Sequence, residues 1–554
     1  MAKRIDGAIR TFNKNGFAGI VQKINQKLML AAEKRRYQRW VKLYGRLNDE
    51  ERHNIREKIA GLDRKPLISV ILPVFNIKEK WLRLCIDSVS RQLYSNWELC
   101  IADDNSIEPH IRLVLNEYER FDERIKIVYR PVNGHISAAS NTALELAEGE
   151  FVVLLDHDDE LTEDALFWVA TEINAFPAAA LFYSDEDKID ARGRLYAPAF
   201  KPDWSRDLFY SLNLFNHLSA YRTNIVKQIG GFRTGFEGSQ DYDLALRFIE
   251  QIDDAQIKHI PRVLYHWRAL PGSVALGGGE KPYAHERARM VLREHFERTG
   301  AAATIEATVH DLHRVRYALP TPSPSVSLIV SACVLGSNST GRAIISATDY
   351  TDIHAITVFG EERKAERLNE AVNHSHGEVI CFIDNRLSPL SSDWLSEMVS
   401  FAMQEKIGAV GAKLLNSDHT IASTGMIVGR NGTTKAAHHG LPADSSGYFF
   451  RAGVVNNYSA VSSSCMVIRR LVFDEIGGFD TDDSTLCFFA ADLCLRLGRR
   501  GYRIVYTPYA ELIFSETDGR FDRTIDTSVS AGFENDPFYN PNLAVNGPTF
   551  SIKL

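Results

Sequence analysis

Residues Phe151–Leu155 read FVVLL and run directly into DHDD at Asp156–Asp159, and this stretch decides how the chain folds. Five apolar residues in a row predict a strand that is buried on both faces of a parallel sheet. The acids fall at its carboxyl end, where open α/β sheets place their ligand crevice. Carboxylates this close repel one another unless a cation shares the site. The stretch therefore predicts either a divalent-metal clamp for a diphosphate or a solvated turn capped by Asp.

The size and composition are those of a soluble protein with several domains. The chain has 554 residues, too many for one hydrophobic core, with 45% hydrophobic and 24% charged residues. Seven cysteines without a CxxC pair argue against both a zinc site and a disulfide framework. Neither a signal peptide nor an apolar run of about 18 residues is present. We therefore expect a cytoplasmic protein.

Positive charge is concentrated at the N-terminus. Residues 1–47 carry twelve Lys and Arg against two acids, a net charge of +10, whereas the whole chain carries −7. Because the remainder is acidic, we expect no nucleic-acid partner. Ile20, Ile24 and Leu28 share a helical face with cations between them. This pattern predicts either a helix on an anionic membrane surface, which we favour, or a helical hairpin packed on the body of the protein.

Strands and helices alternate regularly from Pro66 to about residue 315. The predicted strands LISVIL, WELCIA, IKIVY and FVVLL are separated by helical patterns, which indicates βαβ units and a doubly wound sheet. Three of these strands end in polar clusters, namely PVFN at Pro73–Asn76, ADDNS at Ala102–Ser106 and the DHDD stretch. Strand ends of this kind meet at one edge of the sheet, so we expect the three clusters to be neighbours.

The clusters predict a metal-held nucleoside diphosphate. A carboxylate in ADDNS could accept a hydrogen bond from a pyrimidine imide, and the acids of DHDD could hold Mg²⁺ or Mn²⁺ through oxygen ligands. Neither GxGxxG nor GxxxxGK[ST] follows the first strand, which counts against a dinucleotide site or a P-loop. The same absence of a Gly-rich, basic loop counts against a nucleotidyltransferase.

These motifs, taken in order, resemble a family 2 glycosyltransferase with the GT-A fold. The resemblance rests on LISVILPVFN, ADDNS, the Gly134–Asn141 segment and the acidic DxD-like stretch, and it continues downstream. IGGF at residues 229–232, EGSQDYDLALR at 237–247 and YHWR at 265–268 are similar to the acceptor-side helix and the closing segment of that family. The resemblance spans about 200 residues of the chain.

The resemblance implies a role for each motif residue. It implies that the donor is bound by Pro73, Phe75, Asn76, Asp103, Asp104, Asn133, Gly134, Asn141 and Asp156. It implies that the metal is bound by Asp156, Asp158 and His266, and that Asp241 is the general base. For Asp243, either helix packing or a pair with Arg247 is expected instead. Candidate acceptor contacts are Asp185, Asp187, Glu237, Gln240 and Trp267.

Two of these candidate regions have an alternative interpretation. The acidic patch at Tyr183–Lys188 either reaches the donor sugar or the outer shell of the metal, or it is a solvated hairpin. His217 either lines the acceptor groove with Trp267 or is a satisfied core histidine.

A second α/β pattern follows a stiff connector with three prolines at Tyr317–Ser325. GEVICFID at 377–384 matches GEFVVLLD at 149–156, and IGGF recurs at 476–479. In this register Arg386 replaces Asp158, Ala490 replaces Asp241, and LIFS at 512–515 lacks the histidine. An arginine at the metal position repels a cation, so we expect a duplicated GT-A fold whose second copy is catalytically silent.

The predicted architecture is α/β, with two tandem GT-A domains and an N-terminal helical segment. The boundaries are a basic segment at 1–65, a catalytic domain at 66–315, a linker at 316–325, a degenerate domain at 326–520 and a tail at 521–554. The turn residues of Asp536–Asn542 predict that the tail folds back on a domain.

The predicted function is an inverting, metal-dependent glycosyltransferase. The resemblance implies a UDP- or dTDP-sugar donor and a glycan or lipid-linked glycan acceptor, in bacterial O-antigen or related lipopolysaccharide and surface polysaccharide biosynthesis. A lipid-linked acceptor would place the protein peripherally on the inner face of the cytoplasmic membrane. The alternatives are a bifunctional two-site polysaccharide synthase and a non-catalytic glycan-binding scaffold.

Overall fold

The structure is a computed structural model, and it describes most of the chain. The described residues are 32–270, 282–332, 339–360, 363–429, 433–481, 489–515, 535–544 and 549–554. No helix within these ranges is both long and apolar enough to cross a membrane.

The described part of the N-terminal segment consists of two helices packed on the body of the protein. Helix α1 covers residues 32–44, and α2 covers Asp49–Ala60 after an Asn48 capping box. Tyr37 and Trp40 of α1 are buried, and the Trp40 ring lies 5.2 Å from that of Phe200. For these residues the packing alternative is therefore confirmed. The helical face formed by Ile20, Ile24 and Leu28 lies outside the described residues.

The first module is built on one mixed nine-stranded sheet. Its strands are β1 (Ile68–Val74), β2 (Trp97–Asp103), β3 (Ile125–Tyr129), β4 (Phe151–Leu154), β5 (Glu160–Leu161), β6 (Leu181–Ile189), β7 (Leu195–Ala199), β8 (Ser219–Arg222) and β9 (Ile257–Arg268). Its helices are α3 (Glu79–Ser90), α4 (Pro109–Phe121), α5 (His135–Glu145), α6 (Ala165–Ala175), α7 (Arg206–Ser211), α8 (Thr223–Gln228), α9 (Gln240–Ile249) and α10 (Pro282–Thr299).

The strand order in the first sheet is β3-β2-β1-β4-β8-β6-β9-β5, with β7 paired to β6. The four strands predicted from the sequence are parallel to one another, so their polar carboxyl ends share one edge as expected. The rest of the sheet differs from the prediction, because β8 runs antiparallel to β4 and to β6. This mixed region brings residues more than 60 positions away in sequence beside the end of β4.

An antiparallel hairpin of β10 (Ala303–Ala307) and β11 (His313–Tyr317) leads to the second module. Its strands are β12 (Val326–Ala332), β13 (Ile353–Phe359), β14 (Val379–Asp384), β15 (Leu387–Pro389), β16 (Ile407–Leu415), β17 (Ile421–Ser423), β18 (Met426–Val428), β19 (Thr434–Ala436), β20 (Asn456–Asn457), β21 (Cys465–Arg469) and β22 (Arg503–Phe514). Its helices are α11 (Ser339–Ser346), α12 (Lys364–Asn373), α13 (Trp394–Ala402), α14 (Arg470–Glu475) and α15 (Phe489–Arg499).

The second sheet repeats the topology of the first. Its order, β13-β12-β14-β21-β16-β22-β15, matches β2-β1-β4-β8-β6-β9-β5 strand for strand. The register agrees as well, since Ile68 faces Phe151 in the first sheet and Val326 faces Val379 in the second. The predicted α/β fold with two tandem GT-A-like sheets is therefore confirmed.

Identical side-chain bonds support the duplication. Arg247 pairs with Asp243, one turn earlier in α9, at 2.8 Å. It also donates to the carbonyl of Ile229, which follows α8. In the second module Arg496 pairs with Asp492 at 2.6 Å and bonds the matching carbonyl of Ile476. The role predicted for Asp243, as a partner of Arg247, is thus confirmed.

The two modules share a buried interface. A continuous cluster of apolar side chains extends from the first sheet to the second. Within the interface, Asp207 accepts hydrogen bonds from Arg503 at 2.8 Å and from Asn457 at 2.7 Å. The described part of the tail folds back as predicted, and Asn540 donates to Asp185 of the first module at 2.9 Å. The modules are therefore joined by polar as well as apolar contacts.

Candidate active site

A cluster of potential metal ligands lies at the carboxyl end of β4. One oxygen of Asp156, one oxygen of Asp159 and one ring nitrogen of His217 all lie within 4.8 Å of one another. The two acids follow β4 directly, whereas His217 precedes β8, which pairs antiparallel with β4 through Val153 and Ala220. The mixed part of the sheet therefore carries the imidazole to the acids.

Neighbouring side chains hold the cluster in place. Asp159 accepts hydrogen bonds from the Tyr265 hydroxyl and from the backbone N–H of Arg268, both at 2.6 Å. His217 Nδ1 lies 3.1 Å from a carboxylate oxygen of Glu186. All three contacts come from strands β6 and β9 of the same sheet, so the sheet holds the side chains of Asp159 and His217 in position.

Burial and mutual repulsion raise the pKa values of both acids. Burial raises the pKa of Asp156, and His217 partly offsets this effect, while the charge of Asp158 adds to it. Burial and the charges of Asp158 and Asp156 raise the pKa of Asp159 well above its usual range. Burial lowers the pKa of His217, but its partner Glu186 outweighs this and raises it to about 9. Two desolvated carboxylates at one point are the electrostatic setting that a cation relieves.

Asp241 faces this cluster from the first turn of α9. Its carboxylate accepts a hydrogen bond from Asn213 Nδ2 at 3.0 Å, and its charge contributes to the raised pKa of Asp156. The side chain is partly exposed. An oriented and accessible carboxylate next to the acid cluster is suited to accept a proton from a bound hydroxyl group.

Two of the three predicted metal ligands lie outside the three-residue cluster. The Asp158 carboxylate is not part of the three-residue cluster, and its backbone carbonyl accepts from Arg268 Nε at 2.6 Å. His266 Nδ1 bonds Asp187 at 2.5 Å, away from the cluster. The reason is the alternation of strand β9, because the neighbouring rings of Tyr265 and Trp267 pack against His217. Of the predicted ligands, only Asp156 joins the cluster, and His217 stands where His266 was expected.

The predicted acids of the donor side lie at the end of β2. The Asp104 carboxylate is buried and is bonded by Arg130 Nε at 2.8 Å and by the N–H of Gly134 at 2.9 Å. Asn133 donates to the Asp104 carbonyl at 3.1 Å. The Asp103 carboxylate accepts a hydrogen bond from the N–H of Ser106 at 3.3 Å. The structure thus brings Asp103, Asp104, Asn133 and Gly134 together at one point of the sheet edge.

The PVFN segment lies on the other side of the same edge. Asn76 accepts from the backbone N–H of Ile107 at 2.9 Å and so ties the end of β1 to the loop after β2. The Pro73 carbonyl lies 3.1 Å from His157 Nδ1, which connects it to the acidic stretch. The Phe75 side chain, by contrast, is 43% exposed. Its ring is therefore available to a flat ligand at this edge.

Asn141 has a structural role. Its amide donates to the Phe232 carbonyl at 2.7 Å and accepts from the Phe232 N–H at 2.8 Å. Asn369 makes the same two bonds to Phe479 in the second module, at 2.8 and 3.0 Å. Both polar groups of Asn141 are thus engaged in holding α5 to a loop, and its predicted donor contact stays a prediction.

Two predicted acceptor contacts are inaccessible. Asp185 is fully buried, with His259 at 2.9 Å and Asn540 at 2.9 Å. Asp187 is also fully buried and is bonded by the Tyr37 hydroxyl at 2.5 Å. Asp185 and Asp187 therefore do not form a solvated hairpin, because α1 and the tail cover them. Glu186 of the same patch bonds His217, which agrees with the alternative that the patch reaches the outer shell of the metal.

The other three acceptor candidates lie near Asp241 or His217 and are partly exposed. Glu237 accepts from the Gly235 N–H at 2.9 Å, and Gln240 accepts from the Gly238 N–H at 2.7 Å. The Trp267 ring lies 5.2 Å from that of His217.

Four residues of the site have either no role or an open role in the prediction from the sequence. These are His217, Asp159, Glu186 and Asn213. Asp159 carried a signal, because it belongs to the same acidic run as Asp156. His217 reaches the cluster through the antiparallel pairing of β8 with β4, which no local pattern indicates.

The second module lacks this chemistry at the equivalent positions. Arg386 pairs with Asp384 at 2.7 Å, at the end of the strand that corresponds to β4. Ala490, which corresponds to Asp241, is buried in α15. The internal ion pair neutralises the one acid that remains, so these residues offer neither a metal clamp nor a base.

Comparisons with known proteins agree with the geometry. The family model of glycosyl transferase family 2 matches residues 69–230. The uncharacterized protein y4gI of Sinorhizobium fredii (strain NBRC 101917 / NGR234) is 37% identical over 93% of this chain and 62% of its own length. The O-antigen biosynthesis protein RfbC of Myxococcus xanthus is 32% identical over 90% of this chain and 42% of its own length.

A shorter relative is matched over most of its length. WcaA of Escherichia coli (strain K12), described as a glycosyl transferase of colanic acid biosynthesis, is 31% identical over 36% of this chain and 74% of its own length. By contrast, this chain spans less than two thirds of the length of y4gI and RfbC.

Proposed function

The chain belongs to glycosyl transferase family 2, and on that premise we propose that it transfers a sugar from a nucleoside-diphosphate donor to a glycan acceptor. The polysaccharide would be a bacterial surface polysaccharide such as O-antigen. The observation that carries the proposal is the juxtaposition of Asp156, Asp159 and His217 with the accessible carboxylate of Asp241. Such a set provides a place for a diphosphate and a base for an incoming hydroxyl group.

The residues of the cluster fit a divalent cation. Two desolvated carboxylates and one imidazole form a compact donor set, and oxygen with nitrogen ligands suits Mn²⁺ better than Mg²⁺. Asp156, Asp159 and His217 would hold the ion. When bound, the ion would act as a Lewis acid that neutralises the charge developing on the leaving diphosphate. The His217 imidazole must be neutral to serve as a ligand, so binding would release its proton.

We assign the role of general base to Asp241. An acceptor hydroxyl group is a poor nucleophile, so a carboxylate within hydrogen-bonding reach must take its proton as the new glycosidic bond forms. Asn213 orients the Asp241 carboxylate for this step. A direct displacement of the diphosphate by the acceptor oxygen inverts the configuration at the anomeric carbon. The transfer would therefore be inverting.

The donor nucleotide would bind along the edge formed by β1 and β2. Phe75 offers an exposed ring for stacking, and the carboxylates of Asp103 and Asp104 lie beside it at the strand ends. A carboxylate accepts the imide N–H of uracil or thymine, which favours a UDP- or dTDP-sugar.

A lipid-linked acceptor would account for the outer face of α1. Arg35, Arg39 and Lys42 lie on this face and are exposed, and Leu43 beside them is 57% exposed. Cations next to an exposed apolar side chain suit an anionic membrane surface, to which each cation adds roughly 1 kcal/mol. We propose peripheral attachment to the inner face of the cytoplasmic membrane.

The second module, residues 326–520 in the division proposed from the sequence, would support the first without catalysis. The Asp384–Arg386 ion pair and the buried Ala490 argue against a two-site polysaccharide synthase. A purely glycan-binding scaffold would leave the cluster of the first module and Asp241 without a purpose. One catalytic site in the first module explains both observations.

The test is turnover of a panel of UDP-, dTDP- and GDP-sugars by the intact protein with Mn²⁺, with and without EDTA. We expect release of the nucleoside diphosphate from at least one donor, which EDTA abolishes and Asp156→Ala removes. The matched control is Asp384→Ala, the equivalent acid of the second module, which should retain the rate. If no donor is turned over, or if Asp156→Ala is as active as the unchanged protein, the proposal is wrong.

A further inference from the structure

A tyrosine on α10 stands beside the loop that precedes the proposed base. The loop at residues 235–239 precedes α9, and the first turn of α10 packs against it. Ser239 Oγ donates to the Ala284 carbonyl at 2.7 Å, and Arg287 bonds the Glu237 carbonyl. These bonds fix the beginning of α10 relative to Asp241, which follows Ser239 by two residues.

The Tyr283 ring lies directly over this loop. A Cβ built at Gly238 would come within 3.0 Å of Tyr283 Cε2, and Gly238 has a φ of +93°. Only glycine suits both the backbone conformation and the approach of the ring. The Arg287 guanidinium lies 5.1 Å from the ring centroid and adds a cation–π contact. The ring is thus held from its own helix and from the loop.

Despite these contacts, the ring remains 49% exposed. Single exposed apolar side chains are common and by themselves mean nothing. Tyr283 differs because Arg287, which lies against its ring, and Glu237, which Arg287 bonds, are held in place and could bind sugar hydroxyls. Glu237 is held by Arg287 and by the Gly235 N–H, and the nearby charge of His135 acts on it from the first turn of α5. An aromatic face flanked by oriented polar groups is the usual composition of a site that orients a small ligand.

We propose that Tyr283 is the platform on which a pyranose ring of the acceptor glycan stacks, with Glu237 and Arg287 bonding its hydroxyl groups. The proposal rests on the function proposed above and concerns its acceptor. A pyranose has one face lined with C–H groups, and an aromatic ring attracts that face while excluding water. Stacking at this point would hold the sugar next to the loop that leads into Asp241. Tyr283 is therefore a positioning residue for the acceptor and has no part in donor binding.

The kinetic test compares Tyr283→Ala and Tyr283→Phe in the intact protein. With the donor identified by the panel above, methyl glycosides of glucose, galactose, N-acetylglucosamine and rhamnose serve as acceptor probes. We expect Tyr283→Ala to raise the acceptor KM by about three- to tenfold, and Tyr283→Phe to keep it, because stacking needs only the ring. The donor KM and the rate of donor hydrolysis without acceptor should not change. Phe121→Ala, at an aromatic residue that is 84% exposed on α4, is the control.

A binding measurement separates this proposal from the proposed function. Saturation-transfer NMR with the same methyl glycosides requires no turnover, and the signal should be lost in Tyr283→Ala and kept in Tyr283→Phe. If the unchanged protein hydrolyses no donor, the proposed function fails. The NMR result alone then decides whether Tyr283 binds a pyranose ring. An unchanged acceptor KM and NMR signal in Tyr283→Ala, or an equal rise in the donor KM, would overturn the proposal.

Discussion

Replacing His217 with glutamine should destroy the proposed metal site, whereas replacing His266 with glutamine should leave it intact. The sequence resemblance implied the opposite assignment, with His266 as the ligand. In the structure one ring nitrogen of His217 lies within 4.8 Å of both acidic ligand atoms. His266 instead bonds Asp187 at 2.5 Å, on the other face of β9. The two variants therefore distinguish the two assignments directly.

The magnitude follows from the size of the ligand set. Loss of a partner that merely supports a metal ligand lowers affinity by about 10- to 100-fold. Loss of one of three protein ligands should cost at least the upper value, so we expect Mn²⁺ affinity to fall by about 100-fold or more, or about 2.8 kcal/mol. The His266 variant gives up a hydrogen bond to a buried carboxylate and should lose stability rather than affinity.

Calorimetric titration of Mn²⁺ into the intact protein measures both affinities. His259→Gln serves as the control, because His259 is also buried and paired with an aspartate but lies outside the cluster. Thermal unfolding of each variant checks that the fold is retained. The reasoning is refuted if His217→Gln binds Mn²⁺ like the unchanged protein, or if His266→Gln loses affinity to the same extent.

Three further predictions concern the base, a buried histidine and the interface. Asp241→Asn should lower kcat by about 10²- to 10⁴-fold, because the group assigned to take the acceptor proton is lost. Ala490→Asp should not raise the rate. Rates of nucleotide release measure both, and a fully active Asp241→Asn would refute the assignment of Asp241 as the base. Burial lowers the pKa of His259, but its aspartate partners raise it to about 9, so its contribution to stability is complete below about pH 6.5 and is lost as the pH rises through about 9. Urea midpoints of the unchanged protein and His259→Gln should therefore converge on raising the pH, and a constant difference would contradict this. Asp207→Ala should lower the free energy of unfolding by about 3–5 kcal/mol, because it leaves Arg503 buried without its carboxylate partner. Adding Arg503→Met should recover part of this loss, as measured by urea denaturation. No recovery would mean that the unpaired charge of Arg503 is not the cause.

The parallel half of each sheet could be predicted from the sequence, and the antiparallel half could not. The run at Phe151–Leu155 is apolar throughout and is followed by acids, so both its burial and the position of its carboxyl end are local properties. Strand β8 has only four residues and pairs with β4, about 70 positions earlier. Nothing in so short a segment specifies a partner at that distance. The sequence alone therefore does not decide whether His217 lines the acceptor groove or is a core histidine.

The face of β9, by contrast, was accessible from the sequence. Side chains alternate along a strand, so Tyr265 and Trp267 must share a face and His266 must have the other. An aromatic residue on each side of a histidine already suggests which face meets the core. The expected role of His266 rests on the resemblance to a family motif, whereas the alternation places His266 on the opposite face from Tyr265 and Trp267. The burial of Asp185 had no local signal, because its partner Asn540 lies 355 residues further along the chain.

The separation between Asp185 and Asn540 has a consequence for synthesis on the ribosome. The Asp185 carboxylate is buried in the first module, and two of its contacts come from the amide of Asn540 at 3.0 and 2.9 Å. At about 5–20 residues per second, the 355 intervening residues take about 20–70 s to emerge. During that interval the nascent first module has Lys201 and His259 beside this acid but not its final donor. The hydrogen bonds between Asp185 and Asn540 can therefore form only after residue 540 has been synthesised.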